Sequence, residues 1–77
     1  MNQRHLRYGI VGCGMMGREH IRNISLLDNA SIAAIFEPDA GMRATAAELV
    51  PGADFVEDVG ALASRDDIDA LVIASPN

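Results

Sequence analysis

The chain has 77 residues, of which 49% are hydrophobic, and a formal net charge of −5. The acidic balance and the lack of a basic cluster argue against a nucleic-acid partner. No apolar run approaches the ~20 residues of a membrane span, and no charged-then-apolar leader precedes the first predicted strand. The single cysteine argues against an internal disulfide framework and is typical of a protein of the reducing cytoplasm.

Short apolar runs alternate with helical patterns along the whole chain. The runs are continuous, as in parallel strands that are covered on both faces. The second helix is predicted to begin after the capping residue Asp39, to end before Pro51, and to carry Met42, Ala46 and Leu49 along one side. Strands are expected at about 6–11, 31–37, 54–56 and 69–74, and helices at about 15–28, 40–50 and 59–64.

This alternation predicts an α/β fold with right-handed crossovers and a parallel sheet in the strand order 3-2-1-4. Ligands of such sheets bind outside the carboxyl ends of the strands, at the switch between the first and fourth strands. Three features follow predicted strands there: the glycine-rich run 12–17, Glu37, and the loop Ser75-Pro76-Asn77. We therefore expect a binding site at this edge.

The run GCGMMG at 12–17 closes the first predicted strand and opens the first helix. A GxGxxG in that position, with an acid about 20 residues later, is typical of a dinucleotide-binding Rossmann-type domain. Gly12 is expected to allow the tight turn, Gly14 to admit the pyrophosphate, and Gly17 to let the helix pack closely on the sheet. The acid is Glu37. A glycine-rich turn that binds nothing would require all four positions to coincide by chance.

The same pattern predicts which groups contact the cofactor. The N–H groups of Met15 and Met16, at the start of the helix, are expected to donate to the phosphates. Glu37 is expected to accept hydrogen bonds from the adenosine ribose hydroxyls and to repel the 2′-phosphate of NADP, so that NAD is the predicted cofactor. The position after the strand is Pro38, where NADP-binding relatives usually carry an arginine. Arg43 is the nearest cation along the chain.

Three separated motifs resemble the glucose–fructose oxidoreductase and inositol dehydrogenase family: GIVGCGMMGREH at 9–20, IFEPD at 35–39 and IDALVIASPN at 68–77. The resemblance implies NAD(P)-dependent oxidation of a sugar or polyol hydroxyl, with a substrate domain that follows the cofactor domain. It also implies that Ser75, Pro76 and Asn77 line the nicotinamide side of the cofactor, although turn formation alone would explain these three residues.

In that family the catalytic lysine belongs to a Glu-Lys-Pro motif beyond the position of Asn77. This chain has no lysine, so no catalytic residue is assigned in it. Residues 1–77 are expected to form the N-terminal, β-α-β-α-β-α-β half of the cofactor domain. The rest of that domain and the substrate domain would then lie outside the segment, in a full-length protein that forms a homo-oligomer.

Other residues have simpler interpretations than a catalytic or metal-binding role. His20 is expected to pack or to lie on the surface, and Cys13 to fill space in the loop. Arg18 and Arg22 are expected on a solvated helix face. The acids near the fourth strand are explained by a solvated connection and a strand start, with no metal site, at Asp66, Asp67 and Asp69, and Arg65 belongs to the same connection.

Two other functions remain open at this level. A non-catalytic dinucleotide sensor or transcriptional regulator could keep the fold without the catalytic lysine, and the sequence downstream of the segment would distinguish it from an enzyme. A flavin-binding domain also uses GxGxxG, and the absorbance of any cofactor released on denaturation would reveal it.

Overall fold

The computed structural model describes residues 5–12 and 14–74, and for Met15 and Met16 it describes the backbone alone. In this part of the chain strands and helices alternate in a parallel sheet of order β3-β2-β1-β4. The predicted α/β fold and strand order are confirmed. The strands are β1 (Leu6–Val11), β2 (Ala30–Phe36), β3 (Asp54–Val56) and β4 (Ala70–Ile73), and the helices are α1 (Met15–Ser25), α2 (Ala40–Leu49) and α3 (Val59–Ala63).

Helix α1 differs most from its predicted bounds, because it ends three residues before position 28. Leu26 N donates to Asn23 O and Leu27 N to Ile24 O, at 3.2 and 3.0 Å, so the last turn tightens and stops the helix. The other boundaries agree with prediction to within one residue. In the ranges the structure describes, no helix has the length and apolar character needed to cross a membrane.

The sheet is covered on both faces by apolar side chains. On one face Ile10 and Ile35 are fully buried with Ile21 of α1 and Ala46 of α2. On the other face a smaller cluster of Val11, Ala34 and Leu62 packs beneath α3. Each fully buried branched side chain contributes about 1.5–3 kcal/mol relative to exposure. Burial on both faces explains why β1 and β2 read as largely apolar runs.

Helix α2 buries fewer of its apolar side chains than predicted. Its N-cap is Asp39, whose Oδ1 accepts from Met42 N at 2.9 Å, and this part of the prediction is confirmed. Of the three residues predicted along its apolar side only Ala46 is buried, whereas Met42 and Leu49 are 44% and 38% exposed. Alanine lets the helix approach the sheet closely, and the larger side chains therefore remain at the margin of the contact.

The connection before β4 is partly exposed, as predicted at Asp66, but it also carries an ion-pair cluster that the sequence did not reveal. Arg65 is half-buried and its Nη2 contacts Asp67 Oδ2 at 2.8 Å and Asp54 Oδ2 at 3.1 Å. Arg7 Nη2 lies 3.5 Å from the same Asp67 oxygen. The hydrogen bond from Arg65 lowers the pKa of Asp67 to about 2. The cluster joins residues at the amino ends of β1 and β3 to the connection before β4.

Gly9 allows the central strand to pack closely. A Cβ built there would lie 2.8 Å from Leu71 Cδ2, 3.0 Å from Ile68 Cδ1 and 3.1 Å from Leu62 Cδ1. The register between β1 and β2 shifts at the same place, where Tyr8 pairs with Ile32 but Gly9 pairs with Ala34. The sequence did not reveal this register shift, which leaves one extra residue in β2.

Replacement of Gly9 by alanine should destabilise the fold by about 1–3 kcal/mol, because three side chains must move to admit the methyl group. The matched control is Gly52→Ala, since nothing lies within 4 Å of a Cβ built at Gly52. Thermal unfolding of both variants against the parent measures the difference. Equal melting temperatures for the two variants would contradict this account of Gly9.

Strand β4 forms an edge of the sheet in the described part of the chain, and its Leu71 and Ile73 are 39% and 72% exposed. A chain of this length buries only about 60–65% of its unfolded surface. The 77-residue chain alone should therefore be marginally stable or self-associate, and should lack dehydrogenase activity. Light scattering against concentration, combined with a thermal melt, tests this. A monomer with a sharp cooperative melt would contradict it.

Candidate functional site

Three strands end at one edge of the sheet and bring the predicted site residues together. Gly12 follows β1 and Glu37 follows β2, while Gly12 N donates to Phe36 O at 2.9 Å. On the other side of β1, Ala74 N donates to Val11 O at 2.8 Å. The loop predicted to follow β4, Ser75-Pro76-Asn77, lies outside the described residues, as does Cys13. The first two predicted features therefore meet at the carboxyl edge.

The turn between β1 and α1 depends on glycine. Gly12 has a φ of 89°, in a region that L side chains rarely adopt. This conformation turns the chain directly after its last ladder hydrogen bond, and the predicted role of Gly12 in the turn is confirmed. Gly17, also predicted, is buried in the first turns of α1.

Helix α1 begins without a side-chain cap. Its N-cap is Gly14, in an extended conformation, and its first turn contains no acid. The other two helices are capped by carboxylates, since Asp39 accepts from Met42 N and Asp58 from Ala61 N. The N–H groups at the start of α1 therefore have no capping side chain and can donate to an external anion. That Met15 and Met16 supply these donors to a phosphate stays a prediction.

The described residues beyond its chain neighbours leave room for a side chain at Gly14. A Cβ built on Gly14 would have Met42 Sδ at 3.8 Å and Met42 Cε at 4.0 Å, which are ordinary contacts. The backbone angles of Gly14 also suit other residues, because its φ is −70°. Internal packing therefore does not require glycine here. That glycine leaves room for the pyrophosphate of a dinucleotide against the start of α1 stays a prediction.

Glu37 is buried, with 7% of its surface exposed, although it follows the end of β2. Its Oε2 accepts a hydrogen bond from Asp39 N at 2.9 Å. A buried carboxylate is costly unless it is hydrogen-bonded, and this bond both reduces the cost and orients the group. The carboxylate is thus fixed beside the carboxyl edge. That it binds the adenosine ribose stays a prediction.

Arg43 folds back from the first turns of α2 toward the same acid. Its Nη1 donates to Glu37 O at 2.9 Å and to Pro38 O at 3.1 Å. The side chain also borders an open cleft of about 510 Å³ at the ends of β2 and β3. The cleft is lined by Phe36, Glu37, Pro38, Arg43, Phe55, Val56 and Glu57. Sequence spacing named Arg43 as the nearest cation, but only the fold shows that it reaches the acid's backbone.

Arg18 was predicted to lie on a solvated helix face, and the structure differs from this prediction. It is half-buried and borders a cleft of about 190 Å³ between α1 and α2, together with Asp39 and Met42. Arg22 is exposed as predicted, with Nη1 3.8 Å from Glu19 Oε2. The difference arises because Arg18 lies in the first turns, where the start of α2 approaches, and helical periodicity does not reveal a neighbouring helix.

Asp69 and His20 have no ligand-binding role that the structure indicates. Asp69 Oδ2 accepts from Arg7 N at 2.8 Å, which fixes the start of β4 beside β1. His20 is half-buried within α1. Across the described ranges, no group of three or more His, Cys, Asp or Glu residues is placed to hold a metal ion.

Comparison with known proteins agrees with this geometry. Residues 6–77 match a family model described as an oxidoreductase family with an NAD-binding Rossmann fold. An inositol 2-dehydrogenase of Corynebacterium glutamicum is 43% identical over 74 residues, which cover 95% of this chain and 22% of that protein. The chain thus spans about a fifth of the length of this relative. The predicted family and an NAD-type cofactor are confirmed at the family level.

Two solved structures from Lactobacillus casei share the fold. A scyllo-inositol dehydrogenase with bound NAD(H) and scyllo-inositol has a TM-score of 0.79 and 32% identity, covering 95% of this chain and 22% of that one. A myo-inositol dehydrogenase in complex with NAD(H) and myo-inositol has a TM-score of 0.83 and 29% identity, covering 91% and 21%.

Replacement of Gly14 by valine should abolish NAD binding while leaving the fold largely intact, because the branched side chain would occupy the ligand's space and not the core. Gly52→Val, in a turn ahead of β3, is the control. Calorimetric titration with NAD measures affinity, and a thermal melt checks folding. An affinity near that of the parent would show that Gly14 does not face the pyrophosphate.

Proposed function

The chain belongs to the oxidoreductase family with an NAD-binding Rossmann fold, and we propose that it is the cofactor-binding segment of an NAD-dependent dehydrogenase. The substrate class would be a sugar, cyclitol or related polyol, oxidised at a hydroxyl by hydride transfer. The observation that carries the proposal is the pairing of an uncapped α1 N-terminus with the buried Glu37 carboxylate at one sheet edge.

The substrate class is supported by the relatives. They are named inositol 2-dehydrogenases, and the two structures from Lactobacillus casei hold scyllo-inositol and myo-inositol with NAD(H). Because the chain covers 22% of such a relative, we propose that residues 1–77 are the N-terminal part of the cofactor domain of a longer protein. The catalytic residues and the substrate domain would belong to that longer chain.

In this proposal the residues of the segment bind and orient NAD. The nicotinamide ring of the bound cofactor is the hydride acceptor. We propose that the N–H groups of Met15 and Met16 donate to the pyrophosphate while Gly14 allows its close approach. Gly12 and Gly17 would set the path of the loop and its packing. Sequence resemblance supports Ser75, Pro76 and Asn77 as the nicotinamide-side loop.

Glu37 supplies the ribose contact in this proposal. Its carboxylate is fixed by Asp39 N, so it can accept from the adenosine ribose hydroxyls without a large loss of side-chain freedom. Such fixed acceptors favour the cofactor with two free hydroxyls over the one with a 2′-phosphate.

We further propose that the longer protein acts in the cytoplasm as a homo-oligomer, with a small polyol as its partner and neither nucleic acid nor membrane. The acidic composition and the lone cysteine support this environment.

The longer protein, incubated with NAD and a panel of inositols and sugars, tests the activity. NADH formation with a polyol is the expected result. NAD binding without turnover of any panel member would favour the non-catalytic sensor. Release of a flavin on denaturation would refute NAD as the cofactor.

NAD should bind tenfold to a hundredfold more tightly than NADP. At about 5 Å and an effective dielectric of about 20, Glu37 and one phosphate charge repel by about 3 kcal/mol, and water and salt reduce this value. Glu37→Ser should weaken NAD binding and narrow the ratio, whereas Glu48→Ser on the exposed side of α2 should change neither. Titrations with both dinucleotides measure it. Equal affinities in the parent would mean that Glu37 does not contact the ribose.

A further inference from the structure

We infer that Arg43 makes the segment tolerant of a 2′-phosphorylated dinucleotide, so that NADP is a weak second ligand whose residual affinity depends on this guanidinium. The inference rests on the proposed NAD site and adds a residue that sets its selectivity. Glu37 alone would disfavour the 2′-phosphate; Arg43 is the group in the same cleft that opposes the effect.

The position of the guanidinium is set by main-chain acceptors. Arg43 Nη1 donates to Glu37 O and to Pro38 O, at 2.9 and 3.1 Å. These bonds hold the side chain half-buried against the turn that follows β2. The cation is therefore held beside the ribose-binding acid, without the mobility of a free surface arginine.

The charge of Arg43 has no carboxylate partner among residues 5–12 and 14–74. Among the described residues, Arg65, Arg7 and Arg22 each lie within 4.0 Å of a carboxylate oxygen, but Arg43 does not. Within the described ranges, Arg43 donates through Nη1 to two carbonyl oxygens. Its Nε and Nη2 groups remain as donors for a ligand. A guanidinium with spare donors and a full charge is well suited to a phosphate.

The cleft has room for the added group. It measures about 510 Å³ and is bordered by Glu37, Arg43 and Glu57. A phosphate on the 2′ oxygen that contacts Glu37 would enter this space, where the two carboxylates repel it and Arg43 attracts it. The balance explains how NAD can be preferred without full exclusion of NADP.

A purely structural role for Arg43 makes a different prediction. Helix α2 already has its cap in Asp39, and its buried anchor is Ala46. If Arg43 only held the turn after β2, its loss would weaken NAD and NADP equally, because both contain the same ribose and adenine. Selective loss of NADP binding therefore identifies a contact with the phosphate.

The test compares Arg43→Met, which keeps length and removes charge, with Arg43→Lys, which keeps the charge. Arg22→Met, on the exposed part of α1, is the matched control. Dissociation constants for NAD and NADP are measured by titration of the longer protein, and thermal melts verify folding. We expect Arg43→Met to weaken NADP about tenfold and NAD by less than about twofold, with Arg43→Lys and the control near the parent.

Each contrary outcome has a defined meaning. A parent that binds NAD but not NADP overturns the inference, as does equal weakening of both dinucleotides by Arg43→Met or no change in NADP. If Arg43→Met does not fold, Arg43→Gln, with an uncharged donor, replaces it under the same criterion. A parent that binds neither dinucleotide refutes the proposed NAD site itself.

Discussion

The parallel pairing of β1 with both β2 and β4 is the constraint on which the rest of the molecule depends. The crossovers between parallel strands place helices on both faces of the sheet, which explains the burial of Ile10 and Val11 in the central strand. Because all strands run the same way, the residues that follow them gather at one edge. Gly9 makes this possible, since Leu62, Ile68 and Leu71 pack where its side chain would be. The arrangement of residues at the carboxyl edge thus depends on how the central strand β1 packs.

The carboxyl edge leaves donors of α1 without a capping side chain, whereas charged hydrogen bonds at the amino edge hold the sheet together. At the carboxyl edge α1 begins at Gly14 without a capping side chain, although Asp39 and Asp58 cap the other helices. At the amino edge Arg65 connects Asp54 and Asp67 through charged hydrogen bonds. Donors that bond to groups of the protein stabilise the fold. Donors without such a partner add no stability of this kind, but they remain available to a ligand.

The turn after β2 links stability to recognition. Glu37 is buried, its carboxylate is oriented by Asp39 N, and Asp39 also caps α2. Arg43 joins the same turn through two carbonyls. One short segment thus fixes the acid that we propose as the ribose acceptor, starts a helix and places a cation. If the proposal holds, the residues that select between dinucleotides also hold the backbone.

The sequence by itself determined the fold class, the strand order, the turn at Gly12, the cap at Asp39 and the place of Glu37. These features are local: apolar runs, helical spacing and glycine conformations depend on neighbours along the chain. Tertiary structure alone decided the others, namely the register shift beside Gly9, the partial burial of Arg18, the cluster around Arg65 and the return of Arg43 to Glu37. A long charged side chain can reach many partners, and which one it meets depends on distant segments that only packing brings together.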